Sequence, residues 1–315
     1  MQQPTLADVA AGDRVEGVYL LKTCLLRHNA QGAAFLLGEI RDRSRALGFV
    51  CWQASAEDHQ RLRSARFVRV TGKANRHRDR LQLVAARIAP CEDEPRDPMD
   101  YLPESHHDPA ALAARLDTVL ASVTEPDLHA LLTALFAAGA VREAFLAAPA
   151  ATALHHARPG GLAEHTLAMV DLAQDLAQRY SQVDLDLLRA GALLHDLGKI
   201  DELAWQGCFA YTSRGNLLGH IALGIERLEQ LIATLPDFPR ALHDRLIHML
   251  LSHHGRLEHG ALREPAFLEA WLLHAIDDLD ATVDAFIAAV EQDDGPDPDW
   301  TATNALLQRR VYKGP

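Results

Sequence analysis

The residues with the clearest capacity for chemistry are histidines and aspartates in the second half of this 315-residue chain. The densest group is the pair His195 and Asp196, which is followed closely by Lys199. The other candidates are imidazoles and carboxylates between residues 165 and 277: His165, His220, His253, His254 and Asp277. Five imidazoles and two carboxylates exceed the ligands of one metal ion, whereas two ions bridged by one carboxylate would use them all. Such a paired centre suits phosphodiester hydrolysis.

Four of these histidines fall on apolar stripes of predicted helices, so their side chains are expected to face the core: His165, His195, His220 and His253. Leu217 is expected to share the stripe of His220, and Gly198 and Gly255 are expected to end two of the helices. A single imidazole on such a stripe is more often a hydrogen-bonded core residue. The four together, with the adjacent His-Asp and His-His pairs, favour a metal site.

The cysteines and the N-terminus bear on the compartment. The four cysteines lie far apart without paired spacing, which argues against a disulfide framework or a cysteine-based zinc site. The first 20 residues carry charges that a signal peptide would lack. No apolar run approaches the roughly 20 residues of a membrane-spanning helix. We therefore expect a cytoplasmic protein that does not associate with a membrane.

The net charge of −12 is divided unevenly along the chain. Residues 1–90 contain 15 Lys and Arg against 8 Asp and Glu, whereas residues 91–315 contain 16 against 35. The basic segment could attract a polyanion, and the acidic remainder would repel one unless metal ions neutralise its centre. Two ordinary solvated surfaces of opposite sign would explain the same counts.

Residues 1–91 are predicted to form a small OB-type β-barrel. The predicted strands share β-rich or alternating patterns and are Val15–Leu21, Gly32–Glu39, Gly48–Trp52, Phe67–Ala74 and Leu81–Ile88. A short helical segment, Ala56–Ser64, separates the third and fourth strands. Five strands with one helix after the third are typical of the OB fold, although other small barrels share that count.

Residues 92–108 are acidic and contain three prolines, which predicts a linker. Beyond it the strand signals nearly vanish, and residues 109–315 are predicted to form an all-α domain with a C-terminal tail. The predicted helices share apolar residues at helical spacing: Ala110–Val123, Asp127–Ala138, Leu162–Tyr180, Asp184–Leu197, Leu217–Leu235, Pro239–Ser252 and Glu264–Val290. The fold class is therefore multidomain, with a β-barrel followed by a helical bundle.

The order of the candidate ligands resembles the HD-domain phosphohydrolase superfamily in its dinuclear form. Longer strings resemble one branch of it, the YhaM-type 3′→5′ exoribonucleases. The strings that carry this resemblance are Gly160–Thr166, Leu193–Ile200, Leu217–Ile221, Ser252–Gly255 and Ile276–Ala281. The similarity extends over nearly the whole chain, including the barrel segment and the basic C-terminal tail.

The resemblance implies two groups of ligands. His165, His195, Asp196 and Asp277 would surround one ion, and the other ion would be held by His220, His253 and His254, with Asp196 bridging. Helical geometry alone does not choose among Asp277, Asp278 and Asp280; the resemblance favours Asp277. Arg158 stands where the family commonly has an aromatic residue, which puts substrate contacts in question rather than metal ligands.

The chemistry implied is metal-assisted hydrolysis of single-stranded RNA from the 3′ end to 5′-mononucleotides, and the sequence leaves open whether single-stranded DNA is also a substrate. Asp196 and Lys199 are the predicted catalytic residues, and Lys199 would stabilise charge on the phosphate oxygens or simply favour a helix C-terminus. Two divalent ions are expected. The resemblance favours manganese, and imidazole ligands also suit iron or zinc.

Substrate contacts are predicted from the barrel and from one histidine: His156, Arg76, Arg78 and Arg80. Tyr19 and Trp52 are possible stacking platforms or core residues. Two other functions stay open. The HD scaffold also hosts phosphohydrolases of small nucleotides or cyclic dinucleotides, and a non-catalytic nucleic-acid-binding protein is conceivable, although the intact ligand set argues against it. The oligomeric state does not follow from the sequence.

Overall fold

The computed structural model describes residues 3–77, 80–91, 101–102, 108–152, 156–204, 210–291, 293, 295, 297–304 and 307–314. The chain divides into two compact units. The barrel unit comprises Met1–Glu104 with Phe286–Pro315, and the helical unit comprises Ser105–Trp205 with Phe209–Ala285. Each unit has its own apolar core.

The barrel is a closed five-stranded sheet. Its strands are β1 (Arg14–His28), β2 (Ala34–Arg41), β3 (Ala46–Cys51), β4 (Phe67–His77) and β5 (Arg80–Pro90). They follow the order β1-β2-β3-β5-β4, in which β1 pairs with β4 and the parallel β3–β5 pair completes the barrel. Helix α1 (Ala56–Leu62) lies between β3 and β4 and begins with a capping box between Ser55 and Asp58. The predicted OB-type barrel is therefore confirmed.

Strand β1 is longer than its hydrophobic pattern predicts. The prediction ended at Leu21, but the strand continues to His28 along β2, past a register shift between Leu21 and Thr23. Such an irregularity changes which face successive side chains occupy, so the alternation that marks a strand is lost. Inside the barrel, Tyr19 is fully buried and is therefore a core residue, not a stacking platform.

The helical unit consists mainly of α-helices, which pack around a single apolar core. The helices are α2 (Pro109–Ser122), α3 (Pro126–Leu135), α4 (Ala140–Ala147), α5 (Gly161–Arg179), α6 (Leu185–Leu194), α7 (Lys199–Glu202), α8 (Ser213–Ile232), α9 (Arg240–Ser252) and α10 (Leu268–Glu291). The last residues of α10, from Phe286 onward, group with the barrel unit. A short hairpin, β6 (Leu203–Ala204) with β7 (Ala210–Tyr211), precedes α8. Helices α4 and α7 and this hairpin were not predicted, because segments this short hold too few turns or residues to show a period.

Two expectations about helix geometry are wrong. Leu217 does not share the buried stripe of His220: α8 is kinked at Gly219, whose φ is 73°, and Leu217 is 82% exposed. Gly198 does not end a helix with a left-handed turn, because its φ is −64°. It is required by close packing instead: a Cβ there would lie 2.0 Å from the backbone oxygen of His220. Gly255, in contrast, follows α9 with a φ of +75°, as expected for a helix stop.

Four findings bear on the predictions about the cysteines, a membrane span, the C-terminal tail and the linker. Cys24, Cys51 and Cys91 carry free thiols, and Cys208 lies outside the described residues. No single helix among those the structure describes has the length and apolarity to cross a membrane, although the bent pair α3 and α4 meets those measures together.

The segment Phe286–Pro315 groups with the barrel, whereas the sequence predicted a tail of the helical domain. The predicted linker lies almost entirely outside the described residues.

Candidate metal centre

The helical unit brings the seven predicted ligands together, and we call this set the ligand cluster. Its members come from the ends or inner faces of five helices: His165 on α5, His195 and Asp196 after α6, His220 on α8, His253 and His254 after α9, and Asp277 on α10. Within it, the ligand atoms of each of two triads lie within 4.8 Å of one another. One triad is His165, His195 and Asp277; the other is His220, His253 and His254. Both are compatible with a bound metal ion.

Asp196 lies between the two triads and directs one carboxylate oxygen at each. Its Oδ2 is 3.3 Å from Nε2 of His195 and 4.0 Å from Nε2 of His165. Its Oδ1 is 3.6 Å from Nε2 of His220 and 3.9 Å from Nε2 of His253. A carboxylate whose two oxygens face different histidine groups has the arrangement needed to bridge two ions.

Four of the ring nitrogens that face the cluster lack the hydrogen bonds that buried polar atoms usually make. In the part of the chain that the structure describes, Nε2 of His195, His220 and His253 and Nδ1 of His254 are buried without a hydrogen-bond partner. In two of these rings the opposite nitrogen is satisfied: Nδ1 of His195 donates to the Ala192 carbonyl and Nδ1 of His253 to the Leu250 carbonyl, both at 2.8 Å. That pattern leaves the Nε2 lone pair for a metal, so the residues fit divalent ions.

The electrostatics of the cluster also favour cations. Burial lowers the pKa of His253 well below its usual value, and burial together with nearby His220 lowers the pKa of His254. Both rings are therefore neutral, which is the form that binds metal. Burial alone would raise the pKa of Asp196, but Lys199 and His195 outweigh it and keep the carboxylate ionised.

His165 differs from the other rings because it faces two carboxylates. Burial lowers its pKa, but hydrogen bonds to Asp277 and Asp280 outweigh burial and raise it to about 9. Burial likewise works to raise the pKa of Asp277, but the hydrogen bond from His165 and the charges of the surrounding histidines together outweigh it, so the pKa of Asp277 is lowered. A divalent ion would therefore compete with a proton for His165.

Lys199 lies inside the site. Its Nζ is 2.5 Å from Oδ2 of Asp196, and its side chain is only 13% exposed. Burial lowers the pKa of this ammonium group, but the adjacent Asp196 outweighs burial and raises it. Lys199 is therefore a buried cation in contact with the central carboxylate, and its role toward substrate stays a prediction.

The structure also shows two neighbours of the ligand cluster whose contacts the sequence did not reveal. Glu202 accepts a hydrogen bond from the backbone N–H of His220 at 2.9 Å and lies 3.3 Å from its Nδ1. Asp280 contacts both His165 and His156. No spacing rule points to Glu202, whereas Asp280 lies three residues after Asp277, one helical turn along the same face of α10.

The predicted substrate-binding residues lie apart from one another. His156 is buried beside the ligand cluster, with Nε2 2.8 Å from Asp280 and Nδ1 3.2 Å from Nη2 of Arg158. Both of its ring nitrogens are thus engaged by protein groups. Arg76 and Arg80 belong to the barrel unit, where they are exposed at the end of β4 and the start of β5, and Arg78 lies outside the described residues. Their contacts with substrate stay predictions.

Comparison with known proteins relates this arrangement to a family. Residues 162–282 match the HD domain family, and this range contains the whole ligand cluster. The chain is 33% identical over 285 residues to the 3′-5′ exoribonuclease YhaM of Bacillus subtilis, a match that covers 89% of each chain. It is 32% identical over 283 residues to the 3′-5′ exoribonuclease YhaM of Oceanobacillus iheyensis, covering 89% of this chain and 88% of the relative.

Proposed function

Because the chain belongs to the YhaM family of 3′-5′ exoribonucleases, we propose that it hydrolyses single-stranded RNA from the 3′ end with two divalent metal ions. The observation that carries this proposal is the position of Asp196, whose two carboxylate oxygens face separate histidine groups. The unsatisfied ring nitrogens around it support the same function. A small-nucleotide phosphohydrolase would use the same cluster, and the experiment below separates the two.

The ligand cluster would hold the ions in two groups. His165, His195 and Asp277 would bind one, and His220, His253 and His254 the other, with Asp196 shared between them. Bound divalent ions lower the pKa of a water and neutralise charge on a phosphoryl group. We propose manganese, with iron and zinc as the alternatives that imidazole ligands also accept.

The residues of the chain would act on the phosphate through position and charge. Lys199 keeps Asp196 ionised and carries a buried positive charge into the site, where the non-bridging phosphate oxygens would lie. In the hydrolysis, the water oxygen bonds to phosphorus and the bond to the 3′ oxygen of the preceding nucleotide breaks. That oxygen takes a proton, so the products are a 5′-mononucleotide and an RNA one residue shorter with a 3′ hydroxyl.

The function is tested with a 5′-labelled single-stranded RNA, the purified full-length chain and manganese. We expect a ladder of products that shorten from the 3′ end, and no products after chelation of the metal. An intact strand beside hydrolysed mononucleotides or cyclic dinucleotides would contradict the exoribonuclease proposal and support the alternative. A DNA strand of the same sequence, assayed in parallel, tests whether single-stranded DNA is also a substrate.

The barrel unit offers a surface suited to single-stranded RNA. Trp52 follows β3, is 56% exposed and contacts Phe35 of β2 with ring centroids 4.9 Å apart. Phe35 pairs with Arg27 of β1, which is also exposed. An exposed tryptophan supported by a half-buried phenylalanine, beside a cation, can stack bases and attract phosphates. We propose that the β-barrel, within residues 1–91, binds the RNA strand upstream of the cleaved nucleotide.

Replacing Trp52 by alanine is expected to raise the KM for long RNA by about 5- to 150-fold, since stacking contributes about 1–3 kcal/mol per base. The kcat is expected to stay within about twofold, because Trp52 is not part of the ligand cluster. Steady-state kinetics on a long RNA measure both constants. Tyr180→Ala is the matched control, because Tyr180 is an exposed aromatic of the helical unit. Equal KM values for the Trp52 variant and the wild type would exclude this surface.

A further inference from the structure

Asp280 contacts two histidines and has no role in the hydrolysis proposed above. One of its oxygens, Oδ2, lies 2.7 Å from Nδ1 of His165 and 2.8 Å from Nε2 of His156. The His165 ring is completely buried, and its other nitrogen, Nε2, lies 3.2 Å from Oδ1 of Asp277 inside the ligand cluster. The same ring therefore touches Asp280 on one side and the candidate metal site on the other.

The side chains of His156, His165 and Asp280 do not need a metal ion to hold them together. Their ligand atoms lie within 4.8 Å of one another, as in the two triads of the ligand cluster. The two short distances to Asp280 are, however, those of charge-assisted hydrogen bonds between imidazole N–H groups and a carboxylate. A ring that donates from Nδ1 to a carboxylate presents the lone pair of Nε2 to a metal, and the carboxylate also fixes its orientation.

The segment before α5 holds Asp280 in place through His156 and Arg158. We call these two residues, together with Asp280, Asp284 and Glu164, the Asp280 network. The backbone N–H of His156 donates to Oδ2 of Asp284 at 3.0 Å, one turn further along α10. Arg158 donates from Nε to Glu164 at 2.6 Å and from Nη2 to Nδ1 of His156 at 3.2 Å. Glu164 directly precedes His165 in α5, so the network connects this segment to α5 and α10, two of the three helices that carry the first triad.

We propose that Asp280 is a positioning residue: it fixes the orientation and tautomer of His165 toward the first metal ion, and His156 and Arg158 hold it in place. This inference rests on the proposed function of the cluster, but its own readout is metal affinity rather than RNA hydrolysis. It gives His156 a role in building the site. It also gives a role to Arg158, which replaces the aromatic residue that the family resemblance would lead one to expect.

The test compares two substitutions at Asp280 with a control on the same helix. Asp280→Ala removes both hydrogen bonds, whereas Asp280→Asn keeps an oxygen that can accept both of them but removes the negative charge. Asp278→Asn is the control, because Asp278 is exposed on α10 and carries the same side chain. Manganese binding to the metal-free full-length proteins is measured by titration calorimetry, and the thermal midpoint of each protein is measured alongside.

For Asp280→Ala we expect one ion to bind about 10- to 100-fold more weakly, the usual cost of losing an outer partner of a metal ligand, and the other within about threefold of wild type. Asp280→Asn should show a smaller loss, and Asp278→Asn none. Wild-type affinity for both ions in Asp280→Ala would overturn the proposal. Equal weakening of both ions would also overturn it, because a general structural role would act on the whole cluster.

Two further comparisons distinguish the positioning role of Asp280 from a general effect on folding and from the exoribonuclease function. If Asp280→Ala does not fold, Asp280→Asn and His156→Gln carry the test, and wild-type binding by both overturns the proposal. If the wild type binds metal but does not shorten RNA, the exoribonuclease function fails. Selective loss of one ion in the Asp280 variants would then still support the positioning role.

Discussion

Replacing Asp196 by alanine is expected to reduce the rate of RNA hydrolysis by more than about 100-fold in saturating manganese. Loss of an outer partner of a metal ligand already costs about 10- to 100-fold, and Asp196 is the only carboxylate described between the two triads, within 4.0 Å of four histidines. The measurement is kcat on a 5′-labelled single-stranded RNA. Hydrolysis at the wild-type rate would contradict the two-ion centre.

The same variant leaves the buried ammonium of Lys199 without its carboxylate partner. Breaking a buried ion pair from one side costs about 3–5 kcal/mol of stability, so inactivity alone could reflect unfolding. The double variant Asp196→Ala/Lys199→Met removes the orphaned charge and is expected to recover part of the thermal midpoint while staying inactive. Asp201→Ala is the matched control: Asp201 pairs with Arg227 at 2.6 Å outside the cluster, so its activity should be preserved.

Adding manganese to the metal-free protein is expected to raise the thermal midpoint of unfolding by about 5–10 °C for each ion. A ligand at about 100 times its dissociation constant adds about 2.7 kcal/mol, and 1 kcal/mol shifts the midpoint by about 2–4 °C for 150–250 residues. The metal would also relieve the desolvation of the unsatisfied ring nitrogens. Differential scanning calorimetry with and without a chelator measures the shift.

A histidine outside the cluster provides the control for this effect. His254→Ala is expected to lose a large part of the manganese-dependent shift, because Nδ1 of His254 is one of the unsatisfied nitrogens. His129→Ala should keep the full shift, since His129 is exposed on α3. Equal shifts in both variants would mean that manganese stabilises the protein at another place.

The sequence predicted the parts of the structure that depend on regular patterns. Alternation and turn residues identified the five strands, and inward histidines at helical spacing identified most of the helices that carry the ligand cluster. The choice of Asp277 over Asp280 came from the family resemblance. The structure explains why spacing alone could not decide: both carboxylates contact His165, Asp277 through Nε2 and Asp280 through Nδ1.

The features that escaped prediction depend on contacts between distant segments. Glu202 reaches His220 across the hairpin that precedes α8, and no local pattern records that approach. The kink at Gly219 is set by one left-handed residue inside an otherwise helical pattern, so the exposure of Leu217 could not be anticipated. The network around Asp280 joins residues more than 100 positions apart in the chain.

Close packing at Gly198 affects the distance between Asp196 and His220 in the ligand cluster. The chain after α6 and the chain of α8 meet there backbone to backbone, and a methyl group at Gly198 would strike the His220 carbonyl. The separation between the Asp196 turn and His220 is thus set by two peptide chains in direct contact and not by interchangeable side chains. A side chain as small as that of alanine at position 198 would therefore force the Asp196 turn and His220 apart.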